Sequence, residues 1–210
     1  MILPTSKENN RANLVYVSDK LKSIDNFVFF GTLLGLHREG DIIGHDDDVD
    51  FFINIADRDL LVNLLKDSEL IIDLDLNVNK SLYFMQGYRV LNGEKTFVDF
   101  YFFEMNAGNC FIVQRWGFSG AWRKKFNHMH IPLSFIFPIQ HKTYFDQTIK
   151  LPADSESCCK YLYGATWMTP LKKKQQYRIL ILNNNPKIFI GIFGRLFYES
   201  IRLNRKLFKL

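Results

Sequence analysis

The segment His45-Asp46-Asp47-Asp48-Val49-Asp50-Phe51-Phe52-Ile53 sets three carboxylates at alternate positions and runs them straight into an apolar stretch. Alternate residues of a β-strand share one side. The spacing therefore predicts that Asp46, Asp48 and Asp50 converge, that Asp47 faces the other way, and that Val49, Phe51 and Ile53 enter a core. Like charges packed this closely repel, and each is pushed toward protonation unless a cation neutralises it. Hard divalent cations with oxygen ligands, Mg²⁺ or Mn²⁺, suit such a set. An acidic turn preceding a strand is the competing reading. The direct continuation of the carboxylates into a hydrophobic strand favours the metal.

The residues just upstream add to this. Phe27-Val28-Phe29-Phe30 reads as a short strand, Gly31-Thr32 as a turn, and Leu33-Leu34-Gly35-Leu36 as the start of a short helix. Glycine allows close backbone approach, and a helix N-terminus offers unpaired N–H groups to phosphate. Thr32 is expected as the helix N-cap or as a phosphate hydrogen-bond donor. Alone, such a pair is more often an ordinary turn. Followed at short range by alternating aspartates, it becomes more specific.

The run from Phe29 through Gly31-Thr32-Leu33-Leu34-Gly35-Leu36-His37-Arg38-Glu39-Gly40-Asp41-Ile42-Ile43, followed by His45-Asp46-Asp47-Asp48-Val49-Asp50, resembles the LicD/fukutin family of phosphotransferases. A second match lies in Leu151-Pro152-Ala153-Asp154 and Tyr163-Gly164-Ala165-Thr166-Trp167-Met168-Thr169-Pro170. The resemblance runs from about residue 15 to residue 170, with one departure at His45, where the family usually has Trp. It implies a nucleotidyltransferase-like α/β (α+β) fold, a small mixed sheet with helices packed on it. In such a sheet the third carboxylate comes from a neighbouring strand, and Asp99, within Phe97-Val98-Asp99-Phe100-Tyr101, fits that place. The alternative is a structural Asp99 bonded to backbone or to an arginine, since a buried carboxylate is costly without a partner.

The resemblance also implies roles. Asp48, Asp50 and Asp99 would be catalytic, and Asp46, Asp48, Asp50 and Asp99 would hold the metal. Gly31 and Thr32 would receive phosphates. Arg38 would either clamp a phosphate oxygen or pair with Glu39 or Asp41. The implied reaction passes phosphocholine, ribitol phosphate or glycerol phosphate from a CDP-linked donor to a sugar hydroxyl of a cell-surface glycan, releasing CMP. The rivals are a nucleotidyltransferase using a nucleoside triphosphate, and an inactive nucleotide- or glycan-binding module. The intact aspartates speak against decay. His37 and His45 lack a Cys or a third His at zinc spacing and are expected in structural roles. Arg115, Trp116, Arg123, Lys124 and Lys125 read as a solvated basic loop.

Charge divides the chain of 210 residues. The last forty residues, 171–210, hold ten Lys and Arg against the single acid Glu199, so the overall +5 comes from this tail. A boundary near Pro170 follows, with a catalytic domain over 1–170 and a basic amphipathic segment over 171–210. Ile188 to Gly194 is apolar but far shorter than the roughly 20 residues that cross a bilayer. Beyond it, Phe193, Leu196, Phe197, Ile201 and Leu203 mix with Arg195, Arg202, Arg205, Lys206 and Lys209. That composition suits a helix lying on an anionic membrane surface, or a helical pair packed on the core. A lipid-linked glycan acceptor would suit the former. Nothing else in the chain reads as a nucleic-acid binder. The 3 cysteines form no CxxC, and the first ten residues carry no long apolar core. The expectation is a cytoplasmic protein, either free or peripheral on the inner face of the membrane.

Hydrophobic periodicity predicts helices over 13–24, 57–66 (apolar face Leu60, Leu61, Leu64, Leu65) and 155–163. Strands are predicted over 27–30, 49–55, 70–74, 81–90 and 96–103, with a hairpin turn at Asn92-Gly93.

Overall fold

A computed structural model of the chain describes residues 7–72, 84–106, 109–113 and 128–171. The elements are α1 (Lys7–Lys20), β1 (Asn26–Val28), α2 (Phe30–Glu39), β2 (Asp48–Asn54), a 3-10 turn (Ile55–Asp57) and α3 (Arg58–Leu65). There follow β3 (Ile71–Ile72), β4 (Phe84–Leu91), β5 (Glu94–Asn106), β6 (Asn109–Val113), β7 (His128–Pro132), α4 (Leu133–Ile136), β8 (Gln140–Tyr144), β9 (Gln147–Leu151) and α5 (Ser155–Tyr163). The main sheet runs β1-β2-β5-β4-β3, with β6 and β7 continuing from the far end of β5. Among the described strands only β2 and β5 pair in parallel; the other pairs are antiparallel. The sheet is mixed, as expected.

Its two faces differ in chemistry. Val49, Phe51 and Ile53 of β2 and Val98, Phe100 and Phe102 of β5 are fully buried on one face. Helix α1 lies against this face, where Arg89 of β4 sits 3.9 Å over the Tyr16 ring, and Arg58 of α3 lies over Phe102. The opposite face carries Asp48 and Asp50 from β2, Asp99 and Tyr101 from β5, and Phe84, Gln86 and Tyr88 from β4. Directly paired residues share a face, so this surface can be read as rows. One row is Asp50, Asp99, Gln86, and the next is Phe27, Phe52, Tyr101, Phe84.

Helix α1 starts six residues before the predicted position. The added residues bury Asn9 and Asn10 rather than apolar side chains, and Asn13 at the predicted start is buried as well, a pattern invisible to a search for hydrophobic periodicity. Asn13 Nδ2 donates to the Thr96 carbonyl (2.9 Å) and Asn9 Nδ2 to that of Leu91 (3.2 Å). The chain beyond the helix is secured by Lys150, whose Nζ donates to the carbonyls of Leu21, Lys22 and Ile24 (3.2, 2.9 and 2.6 Å).

Asn92 (φ 53°) and Gly93 (φ 80°) make the predicted hairpin turn, the geometry that Asn-Gly favours. The β8–β9 hairpin turns the same way at Phe145 (φ 52°) and Asp146 (φ 58°). It was not foreseen, because Phe-Asp carries no such signal. In α3, Leu61 and Leu65 are buried but Leu60 is 46% exposed, so the predicted four-leucine face is narrower. Helix α5 has its predicted bounds, capped by Asp154, whose carboxylate accepts the Ser157 N–H at 2.9 Å. The Tyr163–Pro170 element closes onto α2, with Trp167 stacked on His37 at 5.2 Å. Residues 172–210, the basic loop at 115–125 and Leu74 lie outside the described residues. No described helix is long and apolar enough to cross a membrane.

Candidate active site

Carboxylate oxygens of Asp48, Asp50 and Asp99 lie within 4.8 Å of one another. The parallel register places Asp50 directly beside Asp99, one strand spacing of about 4.8 Å away. Asp48 follows from the two-residue period of β2. Asp50 is 5% exposed and Asp99 2%. Burial, reinforced by the neighbouring carboxylates, pushes Asp48 and Asp50 well above the usual carboxylate range. A largely buried set of hard oxygen donors that repel one another is what a divalent cation would relieve. These three residues therefore fit Mg²⁺ or Mn²⁺.

The sequence around each carboxylate explains how it is held. The N–H of Phe29 donates to the Asp50 carbonyl at 3.2 Å, and the N–H of Asp50 donates to Thr32 Oγ1 at 2.9 Å. Both backbone groups of Asp50 are thus tied to the start of α2. Asp99 accepts a short hydrogen bond from Gln86 Nε2 and a longer one, 3.4 Å, from the Tyr101 hydroxyl. Sequence reasoning missed Gln86, although the signal was present. A two-residue turn at Asn92-Gly93 pairs Leu91 with Glu94, and five steps back on each strand pair Gln86 with Asp99.

Several expectations need correction. Strand β2 begins at Asp48, so the alternation does not reach Asp46. Asp46 and Asp47 both sit in the preceding loop, and their carboxylates gather with Asp48 rather than lying on opposite faces. The Asp46 backbone is fixed there by Asn10 of α1, whose Nδ2 donates to its carbonyl at 3.0 Å. Thr32 is not the helix N-cap. Phe29 occupies that position, and Thr32 is buried with its hydroxyl oxygen turned to β2. Gly31 is required for a different close approach from the one foreseen, since a Cβ there would stand 2.3 Å from Asp46 Oδ2. An acidic oxygen therefore lies at the first turn of α2, where the helix dipole favours an anion.

Arg38 lies about two helical turns beyond Gly31, its guanidinium paired with Glu39. The structure does not bring it to the three carboxylates. His45 is exposed in the loop, and His37 is held by Trp167.

On one side the polar row is sealed. Phe52 stacks on Tyr101 at 4.9 Å, Phe84 meets Tyr101 edge-on at 5.2 Å, and Phe30 packs on both Phe52 and Tyr101 at 5.2 Å. All four rings are less than a tenth exposed. Phe30 reaches this position with φ 44°, an uncommon conformation for a non-glycine residue.

With this geometry in place, comparison with known proteins is decisive for the family. The family model described as LicD/FKTN/FKRP, nucleotidyltransferase domain, matches residues 23–154, well over half of the chain. The chain belongs to that family. Within this LicD-family domain the match includes Asp48, Asp50, Asp99, Gly31 and Gln86, but not α1. No curated protein matches the chain. Among solved structures, the lincomycin-bound lincosamide antibiotic adenylyltransferase LnuA is similar, with a TM-score of 0.50 and 13% identity. The alignment covers 85% of this chain and 96% of that one. At that identity the likeness shows the nucleotidyltransferase fold.

Proposed function

We propose that this LicD-family protein is a metal-dependent phosphotransferase. It moves a phospho-alcohol of the phosphocholine, ribitol phosphate or glycerol phosphate type from a CDP-activated donor to a sugar hydroxyl. The acceptor is a cell-surface glycan, and CMP leaves. The observation that carries the reading is the carboxylate set of half-buried Asp48 and buried Asp50 and Asp99, within 4.8 Å of one another in a chain of this family.

Asp48, Asp50 and Asp99 would hold Mg²⁺ or Mn²⁺. Such a cation, when bound, neutralises the charge that develops on a transferring phosphate. The residues themselves orient and exclude water. Phe29 and Thr32 fix the backbone of Asp50, and the sealed aromatic row keeps solvent from one side. Gln86 donates to Asp99 and orients its carboxylate, as a partner of a metal ligand does. The anion-favouring first turn of α2 at Gly31 is taken by the Asp46 carboxylate, so it would receive a donor phosphate only once that side chain swings away. Arg38 pairs with Glu39 through Nε and Nη2 and keeps Nη1 buried without a hydrogen-bond partner, so a phosphate contact would require its side chain to move. The basic 171–210 segment would set the enzyme on an anionic membrane surface, near a lipid-linked acceptor.

A panel of CDP-alcohols with Mn²⁺ and acceptor glycans tests the activity. The expected product is CMP together with the phosphorylated glycan. The family model is named for a nucleotidyltransferase domain, and that favours one second reading, nucleotidyl transfer from a nucleoside triphosphate. Pyrophosphate release from a triphosphate, with no CMP from any CDP-alcohol, would establish it instead. Salt-sensitive flotation with anionic vesicles, lost in a chain ending at Pro170, tests the membrane contact.

A further inference from the structure

The row on the open side of the carboxylates is built differently from the sealed one. Asp48 pairs with Phe97, Phe97 with Tyr88, and Tyr88 with Ile71, so these four share one face in one line across the sheet. None is fully buried: Asp48, Phe97 and Tyr88 are half-buried and Ile71 is 51% exposed. The sealed row, four residues along the same strands and beyond the Asp50–Asp99–Gln86 row, is buried throughout. The Tyr88 and Phe97 rings meet at 6.0 Å with a 57° tilt, and Lys95 Nζ stands 4.2 Å over Tyr88. Phe97 is one strand spacing from Asp48 and Tyr88 two, about 4.8 and about 9.6 Å.

We propose that the Tyr88–Phe97 pair seats the nucleoside ring of the activated donor while its phosphates lie at Asp48, Asp50 and Asp99. The inference rests on the donor reading above and deepens it. An approach from the other side is blocked by Phe30, Phe52, Tyr101 and Phe84, which leaves this row as the partly exposed aromatic surface adjoining the carboxylates among the described residues. Every nucleobase has a π-face, and stacking on aromatic side chains is worth a substantial part of nucleotide affinity. Lys95 supplies a cation in the same place, complementary to an anionic donor.

The test is calorimetric titration of the full chain, in Mn²⁺, with cytidine diphosphate, adenosine diphosphate and inorganic pyrophosphate. Tyr88→Leu and Phe97→Leu should each weaken binding of whichever nucleotide the parent binds by about fivefold or more. Pyrophosphate binding should stay within about twofold, and the ring-preserving Tyr88→Phe and Phe97→Tyr should match the parent. Unchanged nucleotide binding in both leucine variants overturns the seat and leaves the donor reading standing. Equal losses for nucleotide and pyrophosphate overturn it as well, since the rings would then only support the carboxylates. A parent that binds metal but neither nucleotide sinks the donor reading and this inference together.

Discussion

Asp50 stands beside Asp99 across the one parallel strand pair of the described sheet, and Gln86 stands on the far side of Asp99 in the same row. Parallel pairing requires a crossover between β2 and β5. Here α3 and the β3–β4 strands supply it. The chain therefore brings together two carboxylates that are distant in sequence, at a cost in mutual repulsion that neither could bear buried and uncompensated.

That repulsion sets the first expectation. Asp48→Asn and Asp50→Asn should each lower transfer by about 10³-fold or more, several kcal/mol of lost charge stabilisation at 1.4 kcal/mol per decade. Without metal, both variants should melt at or above the parent temperature near neutral pH, because a buried charge held above its usual pKa has been removed. Asp47→Asn, exposed and outside the Asp48-Asp50-Asp99 group, should stay within about tenfold of the parent. Steady-state kinetics and differential scanning calorimetry read both quantities. A parent-like turnover in Asp50→Asn would remove the metal centre from this place.

Gly31 and Asp46 form a second test. Alanine at 31 suits a helix better than glycine by about 1 kcal/mol, yet its Cβ would meet Asp46 Oδ2 at 2.3 Å. The flexible carboxylate can swing away, so Gly31→Ala should fold normally while activity falls. In an Asp46→Ala background the same change should cost nothing further. A double-mutant cycle measures this coupling, and additive losses would show that Gly31 is needed for something other than Asp46.

Gln86→Leu should weaken Mn²⁺ binding by about 10- to 100-fold, the usual cost of losing a partner that orients a metal ligand. Electron paramagnetic resonance of free Mn²⁺ gives the affinity directly, without an assay of turnover. Gln86→Glu sets a further carboxylate against Asp99 and should leave the apo protein less stable than Gln86→Leu does.

Asp41 supplies a pH dependence away from the site. A hydrogen bond from Arg11, aided by Lys7 at 2.7 Å, holds its carboxyl far below the ordinary range. A depressed carboxylate pKa stabilises the fold above the unfolded value near about 3.9, and that contribution disappears as pH falls through the folded value. Asp41→Asn should therefore lower the melting temperature at pH 7 by roughly 2–4 °C, equivalent to about 1 kcal/mol. The gap to the parent should narrow steadily below about pH 4.

Much of this site is legible in the sequence because it depends on local rules. The period of two in β2 identified Asp48 and Asp50, the Asn-Gly turn positioned β5, and α5 began and ended at its predicted residues. The errors arise where a tertiary contact outweighs a local one. Asp46 belongs to the loop because Asn10 holds its carbonyl, and Thr32 turns inward because the Asp50 N–H needs an acceptor. Helix α1 was predicted over 13–24 rather than Lys7–Lys20, starting late because its first turn is buried through amides rather than hydrocarbon.

Helix α1 carries one more consequence. The residues shared with the family begin at 23, after this helix has ended. A fragment begun there would keep every carboxylate of the site, yet it would lose the Asn10 amide that holds the Asp46 loop and the Asn9 and Asn13 amides that hold the β4–β5 hairpin. The stretch recognisable by descent is thus smaller than the stretch that must fold together, and the helix at its margin is free to diverge in sequence only so long as it keeps amides at those three places.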